Sequence, residues 1–388
     1  MLSADLRAAV TSAAEAAGHS GPWHDVGLRD GGAPGRYLSM LPLRLGPAPA
    51  SSPDRVGSPA PASSPDRVGA ASAMASALRS LPWIDSAWPA VGGYLTITVT
   101  PRALADVAVR VTRAGPACAR SDALAGTRAT LPPGTPLTAA RTWPEARDLV
   151  AAQVTARLAA AAGATVAADD MERSWPPGFP AAGAPARRGT GGAEPDAAAG
   201  APAASPVADA VAFAGPDAII YALARIPAKR RVALCPGAVA RHVQANPAYA
   251  VRYAHSCAAS TLRWAAALGL ATGEADAVQP GSLAHPEERA LLAALSWLPE
   301  QVARAARRGR PHEFTSYLEE LAETYQVCRT TCPAWPEREH DGARRDGTRG
   351  ARPADACTVR ARLWLAGAAA AGLAAGLELL GVGAPSRL

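Results

Sequence analysis

The sequence predicts a mostly α-helical protein with a C-terminal helical bundle, a small N-terminal α/β domain and a poorly structured middle. Alanine supplies much of the 49% hydrophobic content and aromatic residues make up only 5%, which favours helices over sheets. Apolar residues recur at helical spacing through residues 215–388, whereas a clear strand pattern occurs near residue 97. A chain of 388 residues can form two or three domains.

We expect residues 1–115 to form the small α/β domain. Its first helix carries Leu6, Val10 and Ala13 on one face. Residues 94–100 alternate apolar and β-branched polar side chains, which predicts a half-buried strand. Thr100 and the proline that follows it then predict the start of a helix.

A Pro/Ser-rich insertion at residues 46–70 interrupts this domain. The seven residues 51–57 recur as residues 63–69. Two copies are too few for a repeat fold, so we interpret the insertion as a duplicated linker.

Residues 116–214 carry the fewest signals of regular structure. One helical stretch is predicted from Pro144 to Ala162. The Pro/Gly/Ala-rich run at residues 176–206 has too little apolar surface to bury, which predicts a flexible linker.

Residues 215–388 predict successive amphipathic helices packed as a bundle. One helix begins at Asn246, and a second runs from Pro286 to Gly309. The uncharged run at residues 363–377 is shorter than the ~20 residues that span a bilayer, so we expect a buried helix and no membrane partner.

The chain is basic, with a formal net charge of +6, and all its basic residues except Lys229 are arginine. Residues 215–388 hold 21 basic and 16 acidic residues, a surplus of five that suits a surface facing a polyanion. A solvated arginine-rich face would have the same composition. Arg304, Arg307, Arg308 and Arg310 are candidate phosphate contacts at one helix end, and a second basic segment spans residues 344–352.

The six cysteines are dispersed and no secretory signal is visible, so we expect a cytoplasmic protein with reduced thiols. Cys328 and Cys332 are spaced unlike any common zinc finger, and we expect no metal site.

The stretch Asn246-Pro247-Ala248-Tyr249-Ala250-Val251-Arg252-Tyr253-Ala254-His255 resembles the N-P-x-Y-x-V-Q-Y-A-H stretch of the arginyl-tRNA synthetase anticodon-binding domain, also called the DALR domain. Blocks at residues 285–300, 311–322 and 361–385 resemble the same domain in the same order. More weakly, residues 1–115 resemble the family's N-terminal additional domain, which helps to hold the tRNA elbow.

The resemblance implies a helical anticodon-binding fold and tRNA as the partner, with no DNA expected. The anticodon contacts it implies are Asn246, Tyr249, Arg252, Tyr253, His255, Pro385 and Leu388. Arg252 stands where the family has glutamine, and Leu388 where it ends in methionine. For Tyr249, Tyr253 and His255 the alternative is structural, because aromatic residues at helical spacing also pack bundle cores.

The middle of the chain lacks the residues that the family uses for catalysis. Class I synthetases hold ATP with an H-x-G-H turn and a lysine-bearing K-M-S-K-S loop. None of the seven histidines forms such a pair, and Lys229 follows the helix that should come after the loop. We therefore expect a degenerate, truncated catalytic core with no catalytic residues and no cofactor.

Three function classes remain open at this stage. The first is a catalytically inactive, tRNA-binding paralogue of arginyl-tRNA synthetase. The second is a protein-interaction or regulatory module on the same fold, with a protein partner. The third is a working arginine-tRNA ligase, which would bind ATP.

Overall fold

The computed structural model describes residues 2–19, 21, 23, 25–45, 64–130, 134–166, 205–270, 278, 281–334 and 356–388. The N-terminal elements are α1 (Leu2–Ala16), β1 (Leu28–Asp30), β2 (Arg36–Ser39), α2 (Leu41–Arg44), α3 (Ser64–Arg79), β3 (Ile84–Pro89), β4 (Leu95–Val99) and α4 (Pro101–Ala114). The later helices are α5 (Trp143–Ala161), α6 (Pro206–Ala214), α7 (Pro216–Ala224), α8 (Pro236–Val239), α9 (Pro247–Ala267), α10 (Pro286–Ser296), α11 (Leu298–Arg308), α12 (Pro311–Thr331) and α13 (Ala356–Leu380). The protein is thus mostly helical, as the sequence predicts.

The N-terminal unit is built on a four-stranded antiparallel sheet in the order β1-β2-β4-β3. The predicted strand is confirmed as β4, but the prediction that it is half-buried is wrong, because Thr96 is only 4% exposed. β4 lies at the inside of the sheet, and the cross-strand partners of Thr96 are the larger Leu38 and Trp88. Directly opposite residues share a face, so these two side chains flank the threonine.

The helix predicted after β4 is confirmed as α4. The Thr100 side chain accepts a hydrogen bond from the backbone N–H of Ala103 at 3.2 Å, and Pro101 occupies the first turn. Leu104, Val107 and Val111 are buried, as the helical spacing requires.

The insertion at residues 46–70 is not a linker throughout, which corrects the sequence prediction. The second copy of the repeated segment begins α3 at Ser64. Serine, proline and aspartate are common at the start of a helix, although the composition of this stretch predicts a linker. The first copy lies outside the described residues.

The middle of the chain contributes α5, which confirms the predicted helical stretch. Residues on either side of α5 form one isolated parallel bridge, Arg128 with Thr165, which brings the two ends of this segment together. Helix α6 was not predicted. Ser205 caps it by accepting from the Ala208 N–H at 3.1 Å, and apart from Ser205 and Pro206 the predicted flexible linker at 176–206 lies outside the described residues.

The single helix predicted from Pro286 to Gly309 is two helices, α10 and α11. The break falls at Trp297, two residues before Pro299. Proline lacks an N–H donor and its ring clashes with the carbonyl four residues earlier, which ends a helix. Gly309 closes α11 in the left-handed conformation, with φ of 60°.

Helix α13 is the buried helix at the centre of the bundle, packed against α4 and α9. By length and composition alone it could cross a membrane, and so could α6 and α7 together if that pair, bent by 117°, were one span. In α13, 72% of the most apolar stretch is buried inside the protein, as in the core helix of a bundle.

The Arg157 side chain of α5 holds the C-terminal end of α13. Its Nε donates to the Leu379 carbonyl at 3.1 Å and its Nη2 to the Leu380 carbonyl at 3.0 Å. Burial lowers the pKa of the guanidinium to about 10, which leaves it charged at neutral pH. Helix ends leave their last carbonyls unsatisfied, so Arg157 supplies donors that the helix lacks.

The N-terminal unit packs directly on the helical bundle. The buried Tyr37 hydroxyl of β2 lies 2.8 Å from the Ser296 Oγ of α10, and the Tyr37 ring lies 5.2 Å from that of Trp297. The Arg7 guanidinium of α1 contacts Glu300 of α11 at 3.4 Å. These contacts join the first and last parts of the chain around one core.

Candidate nucleic-acid interface

Helix α9 begins at Asn246, and the contacts of this side chain explain why. Its Oδ1 accepts from the Ala248 N–H at 3.2 Å, which caps the helix. Its Nδ2 donates to the carbonyls of Val239 at 2.7 Å and Arg241 at 2.8 Å, which ties the preceding loop to the helix. Asn246, one of the expected anticodon contacts, therefore has a structural role in positioning its neighbours.

Three aromatic rings form a stack along the outer side of α9. The rings of His242 and Tyr249 lie 5.5 Å apart and those of Tyr249 and Tyr253 lie 5.6 Å apart, each pair inclined by 15°. His242 is exposed and the two tyrosines are partly exposed. We call these three residues the aromatic row. Proteins that bind single-stranded nucleic acids stack bases on aromatic side chains of this kind.

The most buried side of α9 carries mainly small residues, and the two tyrosines lie outside it. Ala248, Val251, Ala254 and Ala258 are buried there against the bundle. Tyr249 and Tyr253 lie outside this buried row and are partly exposed. Two residues farther along the helix that share their spacing are also outside, with Trp264 62% exposed and Leu268 59% exposed.

Sequence reasoning missed two members of this surface. His242 precedes α9, so no helical spacing links it to Tyr249, and only the turn fixed by Asn246 brings it there. A hydrogen bond with the Cys257 thiol raises the pKa of the Tyr253 hydroxyl, while the positive charge of Arg329, from α12, opposes this. The charge of Arg329 thus acts on the Tyr253 hydroxyl.

The C-terminal tail lies along the neighbouring side of α9. His255 Nδ1 is 3.0 Å and Ser256 Oγ is 2.7 Å from the Pro385 carbonyl, and Arg263 donates to the Ser386 carbonyl at 2.6 Å. His255 is buried, and burial lowers its pKa although the Pro385 carbonyl partly compensates. Leu388 stays 54% exposed.

Arg252 lies between the tail and α7. Its Nη2 is 3.4 Å from Asp217 Oδ2, and its buried Nε has no hydrogen-bond acceptor in the described part of the chain. Asp217 also lies next to Gly383, where a Cβ would be 3.1 Å from Asp217 Oδ2. The expected anticodon residues therefore fall into two groups: Tyr249, Tyr253 and Leu388 present surface to solvent, whereas Asn246, Arg252, His255 and Pro385 hold that surface in place.

The four arginines at the end of α11 do not act as one cluster. Arg308 and Arg310 each lie 3.1 Å from Glu313, and Arg304 lies 4.0 Å from it. Burial would raise the pKa of the Glu313 carboxyl, but hydrogen bonds from Arg310 and the charge of Arg308 outweigh it and lower the pKa. Three cations around one carboxylate leave two positive charges in excess.

Arg307 points in another direction. Its Nη2 lies 2.8 Å from Glu300 Oε1 and its Nη1 lies 3.2 Å from Asp25 Oδ1. It thereby links α11 to the N-terminal unit and is engaged with two carboxylates.

Among the described residues, no group of three or more His, Cys, Asp or Glu side chains is arranged to hold a metal ion. Lys229 lies in the turn after α7, and the segment that follows Gly134 forms a short 3-10 turn at Leu137–Ala139 before α5.

The comparisons with known proteins agree with this architecture. Residues 251–388 match the model of the DALR anticodon binding domain. The C-terminal part of the chain is a DALR anticodon-binding domain. The domain contains α9 from Val251 onward, the arginines of α11, helices α12 and α13, and the tail.

Curated relatives of the chain are arginine-tRNA ligases. The ligase of Micrococcus luteus is 39% identical over 180 residues and that of Paenarthrobacter aurescens 36% over 180 residues. Each match covers 46% of this chain and 30% of the relative, so the chain spans about a third of the length of the curated relatives it matches.

Among solved structures, arginyl-tRNA synthetase from Thermus thermophilus is 26% identical, with a TM-score of 0.34, and the match covers 47% of this chain and 28% of that one.

Proposed function

We propose that this protein binds tRNA through its DALR domain together with the residues that lead into it, and does not aminoacylate it. The observation that carries the proposal is the aromatic row, with His242 exposed and Tyr249 and Tyr253 partly exposed, beside a C-terminal tail that α9 holds in place. Stacking of a base on a protein ring contributes ~1–3 kcal/mol.

Two features of the sequence support the absence of aminoacylation. None of its seven histidines lies in an H-x-G-H arrangement, and its single lysine, Lys229, follows α7. The proposal places the protein in the cytoplasm, with tRNA as partner and no cofactor.

The first test is a titration of the purified protein with an arginine tRNA transcript at 50 and 200 mM salt. We expect binding that weakens steeply with salt, because phosphate contacts release counterions. ATP and arginine are then added, and we expect no charged tRNA. Charging above background would contradict the proposal in favour of an arginine-tRNA ligase. An absence of binding at 50 mM salt would leave a protein partner as the function of the fold.

The aromatic row is tested with a double variant, Tyr249→Ala with Tyr253→Ala. Each base that loses its stacking partner should weaken binding by ~5- to 150-fold, with little change in the salt dependence of binding. Tyr249→Phe with Tyr253→Phe is the matched control, since it keeps both rings and should bind like the parent. Equal affinity of the alanine and phenylalanine variants would show that the rings do not stack on bases.

A further inference from the structure

One stretch of the chain carries positive charge only. Residues 218–273 hold seven basic residues and no aspartate or glutamate. The stretch begins inside α7, continues through the loop that joins α7 to α9, and contains the aromatic row. Cations that are concentrated without acidic residues of their own repel one another, so such a stretch suits an anionic partner.

Three of the seven cations are engaged within the protein. Arg225 donates twice to the Glu319 carboxylate of α12, at 2.7 and 3.1 Å. Arg252 pairs with Asp217, and Arg263 donates to a carbonyl of the C-terminal tail. The other four are exposed and have no ion pair in the part of the chain that the structure describes, namely Lys229, Arg230, Arg231 and Arg241.

Three of these four follow one another along a turn that the protein holds in place. The Arg230 N–H donates to the Pro227 carbonyl at 2.9 Å, which closes a tight turn with Lys229 at its third position. The Arg147 side chain of α5, itself only 13% exposed, donates to the Arg230 carbonyl at 3.0 Å. We call Lys229, Arg230 and Arg231 the basic turn. Because its backbone is already fixed, a ligand need not order it on binding.

The acidic residues at the start of α5 do not neutralise the basic turn. Asp148 Oδ1 accepts from Arg147 Nε at 2.9 Å and from Arg147 Nη2 at 2.6 Å, so this pair is neutral by itself. Glu145 accepts from the Arg141 N–H at 2.9 Å. The basic turn therefore presents three positive charges without a carboxylate partner among the described residues.

We propose that the basic turn binds phosphate groups of the RNA backbone. The inference rests on the proposed function and extends it to a second contact, which precedes the start of the DALR match at Val251. Arginine pairs with two phosphate oxygens through its planar fork, and lysine acts as a point charge. Phosphate contacts position a nucleic acid without reading its sequence, whereas aromatic rings stack on its bases. The loop that begins with the basic turn ends at His242, so one loop serves both kinds of contact.

The first test neutralises the basic turn in a triple variant, Lys229→Gln with Arg230→Gln and Arg231→Gln. The control removes the same charge through three exposed arginines elsewhere in the chain, Arg102→Gln with Arg120→Gln and Arg128→Gln. We expect the turn variant to lower the slope of log tRNA affinity against log salt by ~2.1–2.7, because three phosphate contacts are lost. Its affinity should then change between 50 and 200 mM salt by roughly 20- to 40-fold less than that of the parent. The control should keep the parent slope, and far-UV circular dichroism checks that each variant is folded.

The second test uses the fact that Lys229 is the only lysine in the sequence. Brief acylation with an amine-reactive ester, followed by mass spectrometry of the peptide that contains Lys229, measures how accessible its amine is. We expect saturating tRNA to suppress this acylation. Arg102→Lys supplies a reference amine at an exposed position, which should react at the same rate with and without tRNA.

The outcomes separate this inference from the proposed function. If tRNA binds while Lys229 stays fully reactive and the turn variant keeps the slope of the control, the inference is wrong and the proposed function stands. If the parent binds no tRNA at 50 mM salt, both fail. Poly-L-glutamate is titrated as a second polyanion. Protection of Lys229 by poly-L-glutamate and not by tRNA would assign the basic turn to an acidic protein segment and overturn the RNA assignment.

Discussion

At the scale of single residues, Arg157 is the strongest case of a side chain that the fold requires. It is 5% exposed and its guanidinium supplies the donors for two carbonyls at the end of α13. We expect Arg157→Met to lower the free energy of unfolding by about 1–3 kcal/mol, because two buried acceptors lose their donors. Urea denaturation measures this, with the exposed Arg102→Met expected within about 0.5 kcal/mol of the parent. A loss no larger than that of the control would contradict the assignment.

His255 predicts a pH dependence of stability. Burial lowers its pKa below the ordinary value in the unfolded chain, so below pH ~6.5 the unfolded state binds more protons than the folded state. The contribution of His255 to stability is therefore complete above pH ~6.5 and falls as the pH drops through that value. Urea unfolding of the parent and of His255→Gln is measured at pH 7.5, 6.5 and 5.5. The unfolding free energy of the parent, relative to that of the variant, should decrease as the pH falls. A difference independent of pH would exclude His255 as the titrating group.

At the scale of elements, the start of α9 depends on Asn246. Asn246→Ala removes the cap and both donors to the preceding loop, and we expect a loss of about 1–2 kcal/mol in unfolding free energy. Asn246→Asp keeps the cap acceptor and loses only the two donors, so its loss should be smaller. Both variants should weaken tRNA binding, since His242 lies in the loop that these donors hold. Full tRNA affinity in Asn246→Ala would mean that the position of His242 does not matter.

The elements also show what could be predicted from the sequence. Helical spacing and caps predicted α4, α5 and the start of α9, because those signals act within a few residues. The break at Trp297 was not predicted, although Pro299 is a signal for it. The apolar spacing of Leu295, Leu298 and Val302 continues across the break and hides it. The orientation of α9 could not be predicted, because tyrosines and alanines both recur at helical intervals and only the surrounding bundle decides which row is buried.

The residues of the candidate site that belong to a sequence motif were predicted, and those that only the folded chain brings to the site were missed. Tyr249, Tyr253 and Arg304 come from recognisable stretches of sequence. His242 reaches its place through a tertiary contact between segments with no common pattern.

At the scale of the whole molecule, the packing of the N-terminal unit on the bundle predicts one cooperative unfolding transition. Ser296 Oγ donates to the Ala293 carbonyl at 2.7 Å, so the Tyr37 hydroxyl donates to Ser296 across the interface. Burial raises the pKa of Tyr37 to about 12, which keeps this donor protonated. Tyr37→Phe and Ser296→Ala should each cost about 0.5–1.5 kcal/mol, and the double variant should cost less than their sum.

The summed fluorescence of the nine tryptophans, of which Trp297 lies beside Tyr37, and far-UV circular dichroism should follow the same urea transition in the parent. Additive losses in the double variant, or two separate transitions, would show that the two parts are energetically independent.

The division of labour on α9 has a consequence for how the chain tolerates sequence change. The alanines on its inner side pack against α13, so Ala254 and Ala258, both fully buried, leave no room for a larger side chain. The tyrosines of the outer row are not enclosed in this way, so they can be substituted without overpacking the core or leaving a cavity in it. Substitutions in the outer row can therefore change which ligand is bound while the helix stays folded. For the same reason, the scaffold can be given a new ligand by redesigning one row of side chains.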